Sequence, residues 1–199
     1  MTLSQNLASV QSIAASLSVN GLPRLPLSVD VQDGYDIVET ITGIIKLGAA
    51  GCNLEDLNNS TNHMRPLPEA VNRIELALQT ARQLGVPDFV INARTDILGL
   101  GGSIEEAIER GRAFLEAGAC TVFVWGGPGG RGVSKEEITK LVDAFQGRLN
   151  VKLILKDGFL TVSELKQMGV ARISMGPELY KAAMRAFEET ANQVLNVSP

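Results

Sequence analysis

Short apolar runs and amphipathic segments with helical spacing alternate along the chain, and this alternation constrains the fold more than any other feature. The apolar runs predict six strands: Leu25–Val31, Ala50–Leu54, Phe89–Ala93, Thr121–Trp125, Val151–Leu155 and Ile173–Met175. A helix is predicted after each strand, and another precedes the first: Leu3–Leu17, Ile37–Leu47, Leu67–Leu84, Ser103–Ala117, Ser134–Phe145, Thr161–Met168 and Glu178–Val194.

Three of these helices have a clear start signal. Ser103, Ser134 and Thr161 are each followed three residues later by a glutamate. In such a capping box the hydroxyl accepts a hydrogen bond from one N-terminal amide of the helix, and the carboxylate accepts one from another. The boundaries between these helices and the segments before them are therefore well defined.

Strict alternation of strand and helix predicts a parallel sheet, and the nearly all-apolar strands predict that both of its faces are covered. Two architectures remain open: a doubly wound open sheet, and a (β/α)₈ barrel of the TIM type that is incomplete at about six βα units. A full barrel takes about 250 residues, whereas this chain has 199. Because no linker or low-complexity stretch interrupts the pattern, we expect residues 1–199 to form a single domain.

Charge and hydropathy exclude some classes of function. The 22 acidic and 18 basic residues give a net charge of −4, which argues against a nucleic-acid surface. No apolar run approaches the roughly 18 residues of a membrane span, and the N-terminus does not resemble a secretory signal, so we expect a cytoplasmic protein. Cys52 and Cys120 lie in apolar runs, which predicts buried free thiols in a reducing compartment.

Polar residues follow the predicted strands at the edge where both architectures bind ligands. Asp30, Glu55 and Arg94 occupy corresponding places on three consecutive strands, with Asn92 close to Arg94. Two carboxylates suffice for Mg²⁺, which keeps several water ligands, and an arginine can clamp a carboxylate or phosphate. This pattern predicts a cation site facing an anionic substrate that Arg94 and Asn92 would contact; a structural ion-pair network is the alternative.

Two further segments have both a functional and a structural interpretation. Residues Gly127–Gly132 match the G-x-G-x-x-G pattern between a strand and a helix, as in dinucleotide sites. Pro128 and the lack of a clear acidic residue at the end of the next strand, where Lys152 and Leu153 lie, favour a simple turn. The polar loop Leu57–Pro66, with Asn58, Asn59 and His63, suits a mobile lid in which His63 would act as an acid or base. The alternative is an ordinary surface loop with a solvated histidine.

Five segments resemble a known family. They are LPLSVDVQDGYD, GAAGCNLEDLNN, DFVINARTD, GGSIEEAIERGRAFLEAGACTVFV and GVARISMGPELY. In this order they resemble the isocitrate lyase / phosphoenolpyruvate mutase superfamily, and more closely its bacterial and fungal phosphonomutase-like branch, from about Leu25 to Tyr180. Several motifs that match in sequence order are more specific than any one of them alone.

The resemblance implies a (β/α)₈ barrel with a magnesium-dependent site for small 2-oxo or 2-hydroxy acids. It implies a carboxylate or phosphonate substrate whose C–C or P–C bond is broken or formed through an enolate-like intermediate. By motif position, Asp30 would be the principal Mg²⁺ ligand, Glu55 would hold metal-bound water, and Arg94 would contact the anionic group of the substrate. The resemblance places Ser174 and Gly176 near the mouth of the site without a role.

The chain departs from the family pattern in three ways. The two leading βα units of the family are absent, and Gln32 and Asp36 replace an acid and a glycine of the pattern D-x-[DE]-x-G-[YF]-G. The loop after Glu55 has neither the cysteine of the lyase branches nor the lysine of the mutase branch, which disfavours an isocitrate or methylisocitrate lyase mechanism. The alternative is therefore a catalytically inactive scaffold of the same family. A six-stranded remnant would have two unpaired sheet edges, which predicts a homo-oligomer.

Overall fold

The computed structural model describes residues 1–17, 25–128 and 131–195. Its helices are α1 (Leu3–Ser16), α2 (Ile37–Lys46), α3 (Leu67–Gln83), α4 (Ile104–Glu116), α5 (Lys135–Phe145), α6 (Val162–Gln167) and α7 (Glu178–Leu195), with a short 3₁₀ helix at Ile97–Leu100. Its strands are β1 (Leu27–Asp30), β2 (Ala49–Glu55), β3 (Leu57–Asn58), β4 (His63–Met64), β5 (Val90–Thr95), β6 (Thr121–Val124), β7 (Leu149–Lys152) and β8 (Arg172–Ser174).

Six of the strands form one curled parallel sheet in the order β1-β2-β5-β6-β7-β8. Each of these strands pairs with the next one along the chain, so the strand order never reverses within the described residues. A doubly wound sheet binds ligands where its strand order reverses, and this sheet has no such point. The half-barrel confirms the incomplete TIM-type fold and excludes the open-sheet alternative.

The predicted helix starts are confirmed. Ser103, Ser134 and Thr161 each form a complete capping box, and Thr2 forms a fourth with Gln5. Several strand boundaries are wrong by two or three residues: β1 begins at Leu27 instead of Leu25, β5 ends at Thr95 instead of Ala93, and β7 ends at Lys152 instead of Leu155. At its other end, β7 begins at Leu149, two residues before the predicted start. The cause is Gln146, which caps helix α5 in the left-handed conformation at φ 52° and turns the chain early into the strand.

The two faces of the sheet differ in chemistry. Ile91 and Ala93 of β5 are fully buried in the apolar core with residues of the surrounding helices, such as Ile41 and Leu141. The alternate residues form a polar face, on which cross-strand hydrogen bonds replace the apolar layers that usually fill a TIM barrel. Asn92 Nδ2 donates to Asn53 Oδ1 at 2.7 Å, and Thr121 Oγ1 donates to Asn92 Oδ1 at 2.6 Å.

The two cysteines lie in different environments. Cys52 is buried in the sheet, and burial raises the pKa of its thiol to about 12. Cys120 is exposed just before β6, so the prediction that both thiols are buried is wrong for this residue. Its neighbours Ala119 and Thr121 are buried, and the Cys120 side chain between them is not. In the described part of the chain, no helix is long and apolar enough to cross a membrane.

Candidate functional site

The strand register brings together the three residues predicted to form the site. Glu55 lies directly opposite Arg94 on the neighbouring strand, and Asp30 lies opposite Asn53 on the strand before. Arg94 Nη1 is 3.0 Å from Glu55 Oε2. Asp30, Glu55 and Arg94 line one open cavity of about 380 Å³ at the carboxyl ends of their strands.

Two residues that the sequence did not single out hold Arg94 in place. Asp96 Oδ1 accepts hydrogen bonds from Arg94 Nε at 3.1 Å and from Nη2 at 2.5 Å. The guanidinium carbon also lies 4.5 Å from the centre of the Trp125 ring, a cation–π contact. Burial alone would lower the pKa of Arg94, but attraction from Asp96 and Glu55 raises it, so the guanidinium stays charged.

The carboxylates of this cluster repel one another. Burial raises the pKa of Glu55 to about 7, and it outweighs the opposing attraction of Arg94; Asp96 and Asp30 raise that pKa further. Burial likewise raises the pKa of Asp96 to about 6. Asp96 Oδ2 is buried without a hydrogen-bond partner in the described chain. The cluster therefore has more negative than positive charge, and a bound cation would relieve this excess.

Asp30 and Gln32 form the turn after β1. Asp30 Oδ1 accepts the Gln32 backbone N–H at 2.9 Å, and Asn6 of helix α1 donates to the Asp30 carbonyl at 3.1 Å. Gln32 has φ 54°, and its side-chain oxygen accepts the Tyr35 hydroxyl at 2.8 Å. The amide that replaces the second acid of the family pattern is therefore engaged with Tyr35.

The predicted lid is a short hairpin in which β3 pairs with β4. Asn59, at its turn, donates from Nδ2 to Glu55 Oε1 at 2.7 Å, so it contacts the cluster. Asn58 Oδ1 instead accepts backbone N–H groups of its own turn, and His63 lies opposite it at an exposed position. Whether this hairpin moves as a lid stays a prediction.

Asn92, predicted to contact substrate, is completely buried, and both ends of its amide are used by Asn53 and Thr121. It lies on the same face of β5 as Arg94, but two residues farther than Arg94 from the carboxyl end of the strand. In this structure Asn92 joins three strands and does not line the cavities that Asp30 and Arg94 share.

A second set of ion pairs lies beside the cluster and fits the structural alternative. Asp33 Oδ2 is 3.0 Å from Arg65 Nη2, and Asp56 Oδ2 is 2.6 Å from Arg110 Nε. Asp33 and Asp56 are buried, and their arginines lie just before α3 and on α4. These pairs fasten helices to the strand ends, whereas the Glu55–Arg94 pair faces a cavity.

A larger cavity of about 470 Å³ lies on the polar face of the sheet. Asp30, Arg94 and Trp125 line one side of it, and Lys152, Arg172 and Ser174 line the other. Sequence reasoning missed Lys152 and Arg172 as site residues. The available signal was their alternation: each lies two residues from a polar residue of the same strand, Asn150 or Ser174, which places both residues of a pair on one face.

The half-barrel, with an acid–arginine cluster at the carboxyl edge of its strands, defines a protein of the (β/α)-barrel class with a polar ligand site at its strand ends. The family model described as phosphoenolpyruvate phosphomutase matches residues 1–195. The chain belongs to this family, whose superfamily contains lyases and mutases.

Individual relatives agree with this assignment. The chain is 31% identical over 188 residues to 2-methylisocitrate lyase of Escherichia coli (strain K12). The aligned region covers 84% of the chain and 58% of that enzyme. A crystal structure from Burkholderia cenocepacia J2315, provisionally described as a phosphonomutase, has a TM-score of 0.83 at 34% identity and covers 97% of this chain and 79% of that one. Oxaloacetate acetylhydrolase has a TM-score of 0.82 at 29% identity, covering 100% of this chain and 70% of that one.

Proposed function

We propose that the protein is a Mg²⁺-dependent lyase or mutase that acts on the C–C or P–C bond of a small 2-oxo or 2-hydroxy acid through an enolate-like intermediate. The observation that carries the proposal is the cluster of Glu55, Arg94 and Asp96 beside Asp30 at one cavity. Membership of the family supports the reaction class. The chain spans 58% of the length of the E. coli relative. Assigning the activity of that whole enzyme to this chain is therefore part of the proposal.

The donor set suits a cation that keeps most of its water ligands. Within the described ranges, no three His, Cys, Asp or Glu side chains are grouped to enclose a metal ion. Asp30 is exposed, and its Oδ1 accepts the Gln32 N–H, while no described residue hydrogen-bonds to Oδ2. Asp30 would therefore bind Mg²⁺ directly, and Glu55 would hold metal-bound water, as one or two carboxylates do at magnesium sites. The bound ion would supply positive charge where an enolate oxygen develops.

The residues of the chain would orient the substrate. Arg94 is fixed by Asp96 and stacked against Trp125, so its guanidinium binds the carboxylate or phosphonate group with little loss of side-chain freedom. Phe123 and Trp125 line the cavity beside it and limit access of water to the reacting bond. Since its pKa is about 7, Glu55 can take up or release a proton at its carboxyl oxygens at neutral pH.

Calorimetry with Mg²⁺ and oxalate, an enolate mimic, tests the proposal. We expect coupled binding, in which each ligand raises the affinity for the other, and we expect Asp30→Ala to abolish it. Asp143→Ala, which removes an exposed carboxylate on α5, should bind as the wild type does. If the wild type gave no heat with either ligand alone or with both together, the proposal would be wrong and the inactive scaffold would be favoured.

The pH dependence of Mg²⁺ binding follows from Glu55. Its folded-state pKa of about 7 is above the ordinary value of 4.5, so the carboxylate that holds metal-bound water is mostly protonated at pH 6. We expect the affinity for Mg²⁺ to rise about tenfold from pH 6 to pH 8, as one proton is displaced. Titrations in buffers of different ionisation enthalpy measure this proton release. An affinity that does not change with pH would exclude Glu55 from the metal site.

The inactive scaffold is the second candidate. The observation that favours it is Gln32, whose side chain bonds to Tyr35 in place of the second acid of the family pattern. A scaffold that keeps the fold without the chemistry would bind neither Mg²⁺ nor oxalate, so the calorimetry distinguishes the two candidates.

We also propose that the chain assembles with copies of itself. Strands β1 and β8 are the edges of the described sheet, and free edges favour association. No residue of helix α7 is buried, and Tyr180 and Phe187 expose 68% and 69% of their surface. Light scattering that gives the mass of one chain, 21.2 kDa, would contradict the assembly.

A further inference from the structure

Arg172, like Lys152, is a charged residue on the polar face of the sheet that the proposed reaction does not use. It is partly buried on β8 and lines the cavity of about 470 Å³ that also contains Arg94 and Asp30. No hydrogen bond or ion pair of its side chain occurs within the described residues. Since buried and half-buried charges in proteins are usually paired, an unpaired guanidinium that faces a cavity indicates a missing anion.

We propose that Arg172 and Lys152 form an anion subsite, which takes a carboxylate or phosphate group across the cavity from Arg94. Both residues line the same cavity. Lys152 pairs with Ser174, and Asn150 pairs with Arg172, in the β7–β8 register. Lys152 and Arg172 are therefore diagonal neighbours on one face, with Cα atoms about 8 Å apart from the spacing of parallel strands, and two long side chains can converge over that distance on one anion.

An ion pair with Glu178, on the side away from Arg172, fixes the position of Lys152. Its Nζ lies 3.0 Å from Glu178 Oε1 at the start of helix α7. Gly176 lies against this pair: a Cβ added there would make an ordinary contact with Lys152 Cε at 3.6 Å and a tight one with Glu178 Oε2 at 3.2 Å. The lysine keeps N–H groups beyond the one directed at Glu178. Gly176, which had no assigned role in the sequence analysis, therefore lies against the Lys152–Glu178 pair at the edge of the cavity.

The charge of the cavity lining supports an anionic ligand. Arg94, Lys152 and Arg172 contribute three positive charges to the lining, and Asp30 contributes one negative charge. Glu178 balances Lys152 from outside the lining, so Arg172 is the cation of this lining that no described carboxylate pairs with. The carboxylates that balance Arg94, which are Glu55 and Asp96, do not line this cavity. A ligand with an anionic group at each end would therefore meet Arg94 at one end and the Arg172–Lys152 subsite at the other. The subsite stands on this geometry alone; its use for a substrate rests on the proposed function.

The subsite is tested first without metal, with inorganic phosphate as the probe in the presence of EDTA. We expect phosphate to raise the Tm of the wild-type chain relative to chloride at equal ionic strength, because a ligand stabilises the state that binds it. Arg172→Gln and Lys152→Gln should lose this shift, and Arg172→Lys should keep part of it. Arg148→Gln, which removes an exposed arginine before β7, and Asp30→Ala should both keep it. No shift in the wild type, or equal shifts in wild type and Arg172→Gln, would overturn the subsite.

A pair of 2-hydroxy acids then tests its role toward a substrate. Lactate and malate share the hydroxyl and one carboxylate, and malate adds a second carboxylate. With Mg²⁺ present, we expect the wild type to bind malate at least tenfold more tightly than lactate. Arg172→Gln should reduce this preference below threefold and leave the lactate affinity unchanged.

The two sets of results separate the two proposals. If phosphate still stabilises the chain through Arg172 but neither acid binds with Mg²⁺, the proposed function fails and the subsite stands. If Mg²⁺ and oxalate bind together but malate and lactate bind equally, and phosphate stabilises Arg172→Gln as it does the wild type, the subsite fails and the proposed function stands.

Discussion

The Arg110→Ala variant is expected to lose about 3–5 kcal/mol in free energy of unfolding, as when one partner of a buried ion pair is removed. Arg110 Nε lies 2.6 Å from Asp56 Oδ2, and 3% of Asp56 is exposed. Arg110 Nη2 also donates to the Arg65 carbonyl at 2.7 Å. The variant leaves a buried carboxylate and a carbonyl without their partner. Urea unfolding followed by the fluorescence of Trp125, the single tryptophan, measures the loss.

A matched control separates the buried pair from ion pairing in general. Lys140 and Glu105 pair at 3.7 Å with side chains 58% and 73% exposed. Glu105→Ala should change the free energy of unfolding by no more than about 0.5 kcal/mol, since exposed pairs contribute little. Arg110→Met, which keeps most of the hydrocarbon stem but removes the guanidinium that lies over the Phe114 ring, should still lose most of the stability. A loss below about 1 kcal/mol in Arg110→Ala would mean that Asp56 finds another partner or water.

This ion pair also bears on the site. Asp56 Oδ1 accepts the backbone N–H of Asp96 at 3.0 Å, and Asp96 is the residue that fixes the Arg94 guanidinium. A chain of contacts thus runs from helix α4 through Asp56 to the cavity. Below its unfolding transition, Arg110→Ala should therefore bind oxalate and Mg²⁺ more weakly than Glu105→Ala does.

The fold and half of the site could be predicted because they follow from local order in the chain. Strand–helix alternation and capping boxes fix the elements, and parallel strands place their carboxyl ends at one edge. Asp30, Glu55 and Arg94 occupy equivalent places in consecutive units, so they meet whenever the sheet is parallel and its strands follow chain order. The observed β2–β5 register, with Glu55 opposite Arg94, is the direct result of that order.

The other half of the site depends on the curl of the sheet, which the spacing of residues along the chain does not specify. Arg172 lies on β8, three strand positions from Arg94 on β5, and the two face one cavity because the sheet is curled. Trp125 could be placed at a strand end, but its contact with Arg94 depends on rotamers. Gln32 could be recognised as a departure from the family pattern, but its bond to Tyr35 depends on a left-handed backbone at residue 32.

The glycine-rich turn after β6 has a structural explanation that the motif alone did not give. Gly127 has φ 90°, and a Cβ at this residue would lie 2.7 Å from the Gly99 Cα. A Cβ on Gly99 would lie 3.1 Å from Trp125 Cε3. The glycines therefore let the 3₁₀ helix and the turn after β6 pack against each other beside the tryptophan that stacks on Arg94. Gly129 and Gly130 of the motif lie outside the described residues, so the nucleotide interpretation draws no support from them.

Gly127→Ala should therefore destabilise the protein strongly, and Gly101→Ala is its matched control. Gly101 has nearly the same backbone conformation, with φ 88°, but nothing lies within 4 Å of an added Cβ. An alanine in the left-handed conformation lowers the free energy of unfolding of both variants by about 1–2 kcal/mol. Gly127→Ala should lose about 1–3 kcal/mol more, because the 3₁₀ helix that contains Gly99 must move. Urea unfolding compares the two.

Because the displaced 3₁₀ helix supports Trp125, Gly127→Ala should also weaken oxalate binding with Mg²⁺, and Gly101→Ala should not. Equal losses of stability in both variants would contradict the packing explanation, and stabilisation of the wild type by NAD or ATP would restore the nucleotide interpretation of this turn.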